Sequence, residues 1–352
     1  MFLILMTMIP LLMAIYVAKR LILPCNLSLG WKLGLTGILL LFSQASGMTF
    51  LLFGTTFRTE KIMIISGFCF CLIFMLFICC LLANLTAFLT GLFMPIWSIW
   101  FAAFALAVLS LWLATKQPMI YHLKLNAGLE NKVKIVQLSD LHIGSAFNGK
   151  WLSKVVEKVN ALNPDIVVIT GDLIDGNPIH LESELQPLKD IKAPIYMVYG
   201  NHEYYYGLAR WIPVFERLGL HILENKVVLI NDIALGGVGM PKADAFGFKS
   251  PDLKETFKNI QGEKVRILLS HYPQVFDEAV KNDVFLQLSG HTHGGQLFFP
   301  FTLLTKRANK GYVKGMYEKD GKRLYVSSGT GLWGGLPMRL GTLPEIVEIT
   351  LE

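Results

Sequence analysis

The chain has 352 residues, of which 53% are hydrophobic and 16% charged, with a formal net charge of +6. Residues 1–115 carry only six charges (Lys19, Arg20, Lys32, Arg58, Glu60 and Lys61), which leaves 27 basic against 25 acidic residues in a nearly neutral remainder. That balance excludes the basic footprint of a nucleic-acid-binding domain, and because all five cysteines (Cys25, Cys69, Cys71, Cys79, Cys80) lie in or beside the apolar part, a disulfide framework in the soluble part is excluded too.

Four apolar segments come first, at 2–18, 33–53, 62–83 and 94–114, each close to the roughly 20 residues a helix needs to cross a bilayer. A removable signal peptide accounts only for the first. Ser43, Gln44 and Ser46 in the second segment either line a ligand path or act as packing glue between helices, the commoner role of small polar residues in membranes. Four crossings put both chain ends on one side. Arg58, Lys61, Lys116 and Lys124, set against Lys19, Arg20 and Lys32, place those ends in the cytoplasm by a narrow margin. The expectation is a multi-pass protein of the inner (cytoplasmic) membrane whose catalytic domain is cytoplasmic.

Lys116-Gln117-Pro118 marks the exit from the fourth segment, since proline resists continuing a helix. Residues 116–131 read as a linker. From Lys132 a strand (133–138), a helix carrying Leu152, Val155, Val156, Val159 and Leu162, and a strand (166–169) form a repeating unit. A strand at 195–199, a helix at 208–218 and strands at 227–230, 233–236, 267–269 and 285–288 follow, with a helix at 275–281. Lys319-Asp320-Gly321-Lys322 reads as a hairpin, because Asp-Gly tolerates the positive backbone angles of a tight turn. The pattern is that of an α/β domain with helices outside its sheets.

Five polar motifs each begin where an apolar strand ends: Ser139-Asp140-Leu141-His142, Thr170-Gly171-Asp172, Gly200-Asn201-His202-Glu203, Ser270-His271 and Gly290-His291-Thr292-His293-Gly294. They contain five of the eight histidines, and ligand sites in open α/β sheets gather at such strand ends. Two cations about 3.5 to 4 Å apart need a carboxylate able to bridge them and neutral donors to fill the other positions. Asp172 is the natural bridge. Asp140 and His142 can face one cation, Asn201 offers a carbonyl oxygen, and His271, His291 and His293 offer imidazoles. Mixed nitrogen and oxygen donors suit manganese, iron or zinc better than magnesium or calcium, and two such ions, manganese for preference, are the expected cofactors. Any one of these motifs alone could be an ordinary turn; the ordered set of five points to hydrolytic phosphate chemistry. His122, His180 and His221 have no such context and read as surface or packing residues.

Over residues 132–352 the sequence resembles the calcineurin-like metallophosphoesterase superfamily, and Gly-His-Thr-His-Gly-Gly-Gln (290–296), Ser-Ser-Gly-Thr-Gly (327–331), Arg339 and Pro344-Glu345 resemble its bacterial, membrane-attached phosphodiesterase branch. The resemblance implies a four-layer α/β/β/α sandwich following the α-helical transmembrane domain. It implies that Asp140, His142, Asp172 and His293 hold one metal and Asp172, Asn201, His271 and His291 a second, with a hydroxide between the two attacking phosphorus in line. His202 then protonates the leaving oxygen or only binds phosphate. Asp175 either orients His202 or merely starts a helix. Gly176 and Tyr199 stand where protein serine/threonine phosphatases carry arginines, so phosphoproteins are not expected substrates; Arg339 and Arg210 are the alternative phosphate-gripping cations.

Leu297 to Leu304, closed by Lys306 and Arg307, combines apolar side chains with cations, as in a loop entering a membrane interface, and Trp333, Leu336 and Met338 could extend that face; a buried core segment fits equally. The expected partners are the lipid bilayer and a phosphorylated, amphipathic substrate: a lipid-linked phosphodiester or pyrophosphate, with UDP-2,3-diacylglucosamine as the specific candidate. The alternative is a membrane sensor or transporter regulated by its esterase domain. Oligomeric state is not legible.

Overall fold

The computed structural model describes all residues except 1, 54–59, 145, 261–263, 298–301 and 334–336. Arg58, Leu336 and the centre of the apolar loop at 298–301 therefore lie outside the described residues. The chain divides into two compact units, one of residues 1–115 with 334–339, the other of residues 116–333 with 340–352.

The first unit contains α1 (Phe2–Val17), α2 (Leu29–Phe53), α3 (Glu60–Thr90) and α4 (Ile96–Ala114). Two of its helices, Lys61–Thr90 and Ile96–Ala114, are long and apolar enough to cross a membrane. Several polar groups within the unit are paired: Gln44 donates to the Thr7 carbonyl at 3.1 Å, and Arg20 and Tyr16 meet on Asn84 at 2.7 and 2.6 Å. Such bonds between helices are what an apolar solvent demands of any polar side chain.

The second unit holds two six-stranded mixed sheets. The first runs in the order β1 (Met119–Leu125), β12 (Glu345–Leu351), β2 (Val133–Leu138), β3 (Ile166–Thr170), β4 (Ile195–Val198), β5 (Leu220–Ile222). The second runs β10 (Gly315–Lys319), β11 (Lys322–Val326), β9 (Leu286–Ser289), β8 (Val265–Ser270), β7 (Ile233–Val238), β6 (Lys226–Ile230). Strands β2 to β5 are parallel to one another, as are β7, β8 and β9.

Alternation explains the layering. Val133 and Ile135, Ile166 and Val168, Ile267 and Leu269, Leu286 and Leu288, and Val347, Ile349 and Leu351 are spaced by two, so each pair or triplet falls on one face, and they join in a single buried cluster shared by both sheets. The intervening residues of the second sheet (Ala234, Leu268, Leu324, Val326) pack instead with α9 (Leu253–Phe257) and α10 (Phe276–Lys281). On the first sheet Val136 and Val167 are also fully buried, so this face is covered as well. The apolar stripes of α5 (Gly149–Ala161) and α8 (Leu208–Arg217) are buried as well, α5 beside residues 182–190 and α8 against β5. Shorter helices are α6 (Pro178–Leu181), α7 (Asn201–Tyr205) and α11 (Thr302–Ala308). The hairpin turn is as expected: Lys319 faces Lys322, and Asp320 and Gly321 between them have φ of 50° and 70°.

One expectation is corrected. Residues 119–125 are not linker but the edge strand β1, parallel to β12 from Met119↔Glu345 to Leu125↔Leu351. Tyr121, Leu123 and Leu125 alternate with His122 and Lys124, but the strand is mostly exposed and only Leu125 is buried, so the pattern is too short and weak to stand out from a linker. Its conformation comes from a partner more than 220 residues away, and His122 ion-pairs with Glu348 on that partner.

Candidate metal centre

Each of the five motifs leaves the carboxyl end of a parallel strand: β2, β3 and β4 in the first sheet, β8 and β9 in the second. The chain turns sharply there. Asp140, His142, Asp172, His291 and His293 all have φ between 47° and 74°, a region in which a non-glycine residue is strained by about 1 to 3 kcal/mol. Tight hydrogen bonds hold these turns. The Asp140 and His142 N–H groups donate to the Gly171 and Asp172 carbonyls, each at 3.0 Å, and Thr330 and Gly331 cross the first motif by donating to the Ser139 and Asp140 carbonyls at 2.7 and 3.0 Å. Gly171, with φ 89°, allows the β3 and β4 ends to approach: a β-carbon there would lie 2.6 Å from the Gly200 nitrogen.

These turns bring side chains together in three groups whose donor atoms lie within 4.8 Å of one another: Asp140, His142 and His293; Asp140, Asp172 and His271; and His142, Asp175 and His202. Asp140 thus belongs to both of the first two groups, a shared place that sequence reasoning gave to Asp172 alone. His291 joins the second group through its Nδ1, 3.2 Å from His271 Nε2. Asn201 is buried, and its Oδ1 accepts from the Tyr272 hydroxyl at 3.3 Å.

The tautomers test whether metals fit. His271 Nδ1 lies 2.8 Å from the Thr170 carbonyl, which can only accept, so Nδ1 carries the proton. A neutral His271 then points the Nε2 lone pair at Asp172 Oδ2, 3.2 Å away, and at His291 Nδ1. His142 repeats the pattern: Nδ1 donates to Asp175 Oδ1 at 2.9 Å while Nε2 faces His293 Nε2 at 3.1 Å. Lone pairs converging in two places need a cation in each. Burial lowers the His271 pKa, but Asp172 and Asp140 outweigh it and raise it to about 9, while burial and the charge on His271 depress His291 to about 3. The buried carboxylates split likewise. Burial and the neighbouring Asp172 raise Asp140, whereas His271 and His202 outweigh burial and hold Asp172 well below the usual range.

The third group is a hydrogen-bond system. A single oxygen, Asp175 Oδ1, accepts from both His142 Nδ1 and His202 Nδ1, so Asp175 orients two rings, only one of which was anticipated. His202 Nε2 lies 3.9 Å from Asp172 Oδ2, and its backbone N–H donates to Asp172 Oδ1 at 2.8 Å. Burial lowers its pKa, but Asp172 and Asp175 outweigh this and raise it to about 10. The ring is bordered by Tyr205, Tyr206 and Trp333, with centroids 5.9, 5.8 and 6.1 Å away.

Sequence reasoning gave no role to Glu203, which is fully buried. Its carboxylate accepts from the N–H groups of Gly200 (2.6 Å), Leu173 (2.7 Å), Asp172 (3.0 Å) and Ile174 (3.4 Å), tying the β3 and β4 turns together. The available signal was a capping box, in which the residue three past the N-cap reaches back to it. Burial and the Asp172 charge raise its pKa to about 7. Glu203→Ala strips the acceptor from at least three buried donors, at about 1 kcal/mol or more each. The expected result is a thermal midpoint lower by roughly 6 to 12 °C, read by scanning calorimetry of the detergent-purified protein; an unchanged midpoint contradicts the tie.

The other candidates are placed as follows. Arg210 is exposed, and its guanidinium is folded against Gly207 at the start of α8. Arg339 is fully buried, and its backbone N–H donates to the Ser110 hydroxyl at 3.1 Å, within the helical unit. Met338 is buried, in keeping with the buried-segment alternative. His180 and His221 are exposed.

The calcineurin-like phosphoesterase family profile matches residues 133–295, the span that contains all seven candidate ligands. Among curated proteins, the chain is 38% identical over 228 residues to an uncharacterised metallophosphoesterase of Campylobacter jejuni, covering 64% of this chain and 60% of that one. It is 37% identical over 239 residues to one of Aquifex aeolicus (65% and 88%) and 34% identical over 237 residues to a zebrafish (Danio rerio) "transmembrane protein with metallophosphoesterase domain" (63% and 54%). The chain spans about 60% of the length of the first curated relatives it matches. The matched region coincides with the strands that deliver the aspartates and histidines, and by these likenesses the chain belongs to the calcineurin-like phosphoesterase family.

Proposed function

We propose that the protein is a membrane-held, two-metal phosphoester hydrolase that cleaves a phosphodiester or pyrophosphate bond of a lipid-linked substrate. The observation that carries the reading is the convergence of imidazole lone pairs and carboxylate oxygens in two adjacent places. Asp140, His142 and His293 would hold one cation and Asp172, Asn201, His271 and His291 the other, with Asp140 and Asp172 between them. Bound cations would supply Lewis acidity, lowering the pKa of a water and offsetting charge on the phosphoryl oxygens. His202, fixed by Asp175, holds a proton at Nε2 for the departing oxygen. Manganese is the first choice of metal. The test is hydrolysis of bis(p-nitrophenyl) phosphate by the detergent-purified protein, lost on chelation and restored by manganese; activity that survives complete chelation rejects the reading.

A lipid substrate is supported by the two long apolar helices, by relatives named as transmembrane proteins, and by α11, whose Leu303 and Leu304 are 47% and 73% exposed beside Lys306 and Arg307. Apolar residues exposed next to cations suit an interface with anionic headgroups. A nucleotide-linked lipid such as UDP-2,3-diacylglucosamine is the specific candidate, and a cytoplasmic catalytic domain on a multi-pass inner-membrane anchor is the expected arrangement. Leu303→Asp with Leu304→Asp is expected to cut turnover of a lipid-linked pyrophosphate in mixed micelles by about tenfold and to leave bis(p-nitrophenyl) phosphate turnover within twofold. Equal effects on both substrates refute interfacial contact by α11.

A further inference from the structure

A cavity of about 900 Å³ adjoins the metal centre, with Tyr272 as part of its wall. The Tyr272 hydroxyl donates to Asn201 Oδ1 at 3.3 Å and its ring centroid lies 4.3 Å from that of His291, so one side chain borders both the cavity and the ligand cluster. The cavity is also lined by Lys242, Lys254, Lys281 and Lys310, opposed by Asp277 and Glu278. Asp277 is already matched twice, by Lys310 at 3.3 Å and by Lys319 at 2.8 Å. Among the described residues Lys242, Lys254 and Lys281 have no ion-pair partner within 4.0 Å. The cavity therefore carries surplus positive charge.

The wall that bears Lys242 is anchored to the site. Phe246 and Phe248 pack on Tyr204, with centroids 5.8 and 5.5 Å away, and Phe246 also meets Tyr205 at 5.9 Å. Both tyrosines belong to α7, the helix that starts at Asn201 and His202. Lys242 itself stands in the left-handed region, at φ 65°, between buried Met240 and Ala243. That places the Lys242 backbone at the cavity wall, while its exposed side chain stays free to reach a ligand there.

We infer that this cavity is the subsite for the part of the substrate beyond the scissile phosphate, and that this part carries a second phosphate. The inference rests on the metal cluster being the hydrolytic site. A neutral acyl or glyceryl group would leave the surplus lysine charge unanswered, whereas a further phosphate, such as the one across the bridging oxygen of a pyrophosphate link, meets it. The lysines act as point charges on flexible stems, so they select for charge more than for shape.

The test compares two inhibitors of bis(p-nitrophenyl) phosphate hydrolysis by the full-length, manganese-loaded protein. Inorganic phosphate competes by occupying the metal cluster, whereas UDP-glucose, a soluble pyrophosphate-linked probe, is long enough to span the cluster and the cavity together. For Lys242→Glu with Lys254→Glu the inhibition constant for UDP-glucose is expected to rise about tenfold and that for phosphate less than twofold, with the difference shrinking at high salt. Lys242→Ala with Lys254→Ala should give a smaller shift in the same direction, and both positions are exposed, so folding is spared. The inference is overturned if UDP-glucose fails to inhibit the unmodified protein, if its constant does not move, or if the phosphate constant moves as far. Absence of any diester hydrolysis by the unmodified protein would instead overturn the reading of the metal cluster.

Discussion

Asp172→Ala is expected to abolish phosphodiester hydrolysis and to empty at least one metal position. Its carboxylate is almost completely buried; Oδ2 lies 3.2 Å from His271 Nε2 and 3.9 Å from both His142 Nε2 and His202 Nε2, while Oδ1 accepts the His202 N–H at 2.8 Å. Four elements therefore converge on one side chain. Alanine leaves His271 and His291 with Asp140 alone of the two shared carboxylates to offset a dication, so affinity at that position should fall steeply. With one cation gone, neither the activated water nor the second clamp on the phosphoryl group survives, and a loss of about 10³-fold or more in kcat/KM is expected. Metal content by plasma emission should fall from two to at most one per chain. The fold should persist, because the Asp172 N–H still donates to Glu203 and its carbonyl still accepts from His142. Full metal content together with normal activity would overturn the assignment.

What the sequence could and could not reveal follows from how local each cause is. The ligand motifs were legible because apolar strands of four to six residues stop abruptly at polar turns, and each turn carries its own ligand. Pairing was not legible. Strand β12, at the end of the chain, inserts between β1 and β2, and nothing within residues 119–125 announces a partner so distant, so β1 resembled a linker. Three-residue β5 is too short to show a period. Side chains that act at a distance were hidden as well. Glu203 works through four backbone donors, three of them on another turn, and Tyr272 touches Asn201 across 71 positions. The sharing of Asp140 between two donor groups is likewise a matter of where β9 places His293, 3.4 Å from Asp140 Oδ1, and no spacing in the sequence encodes it.

His202→Ala is expected to slow turnover in proportion to how badly the leaving group needs a proton. The ring is fixed at Nδ1 by Asp175 and borders Asp172 without sharing a donor group with His271 or His293, so metals should be retained. The contact that does brace the cluster, from the residue 202 N–H to Asp172 Oδ1, is a backbone bond that alanine preserves. For an alkyl phosphodiester, whose alkoxide cannot depart unprotonated, the loss should be about 10²- to 10³-fold, the usual worth of a placed general acid. For p-nitrophenolate, which leaves as the anion, it should stay under tenfold. Asp175→Asn separates positioning from proton donation, because the same Oδ1 also holds His142. That variant should show a milder leaving-group dependence and, unlike His202→Ala, a metal affinity weakened about 10- to 100-fold. If His202→Ala costs the same with both leaving groups, the residue grips phosphate and the proton comes from elsewhere. If Asp175→Asn binds metal normally, the shared hydrogen bond does not fix the His142 tautomer.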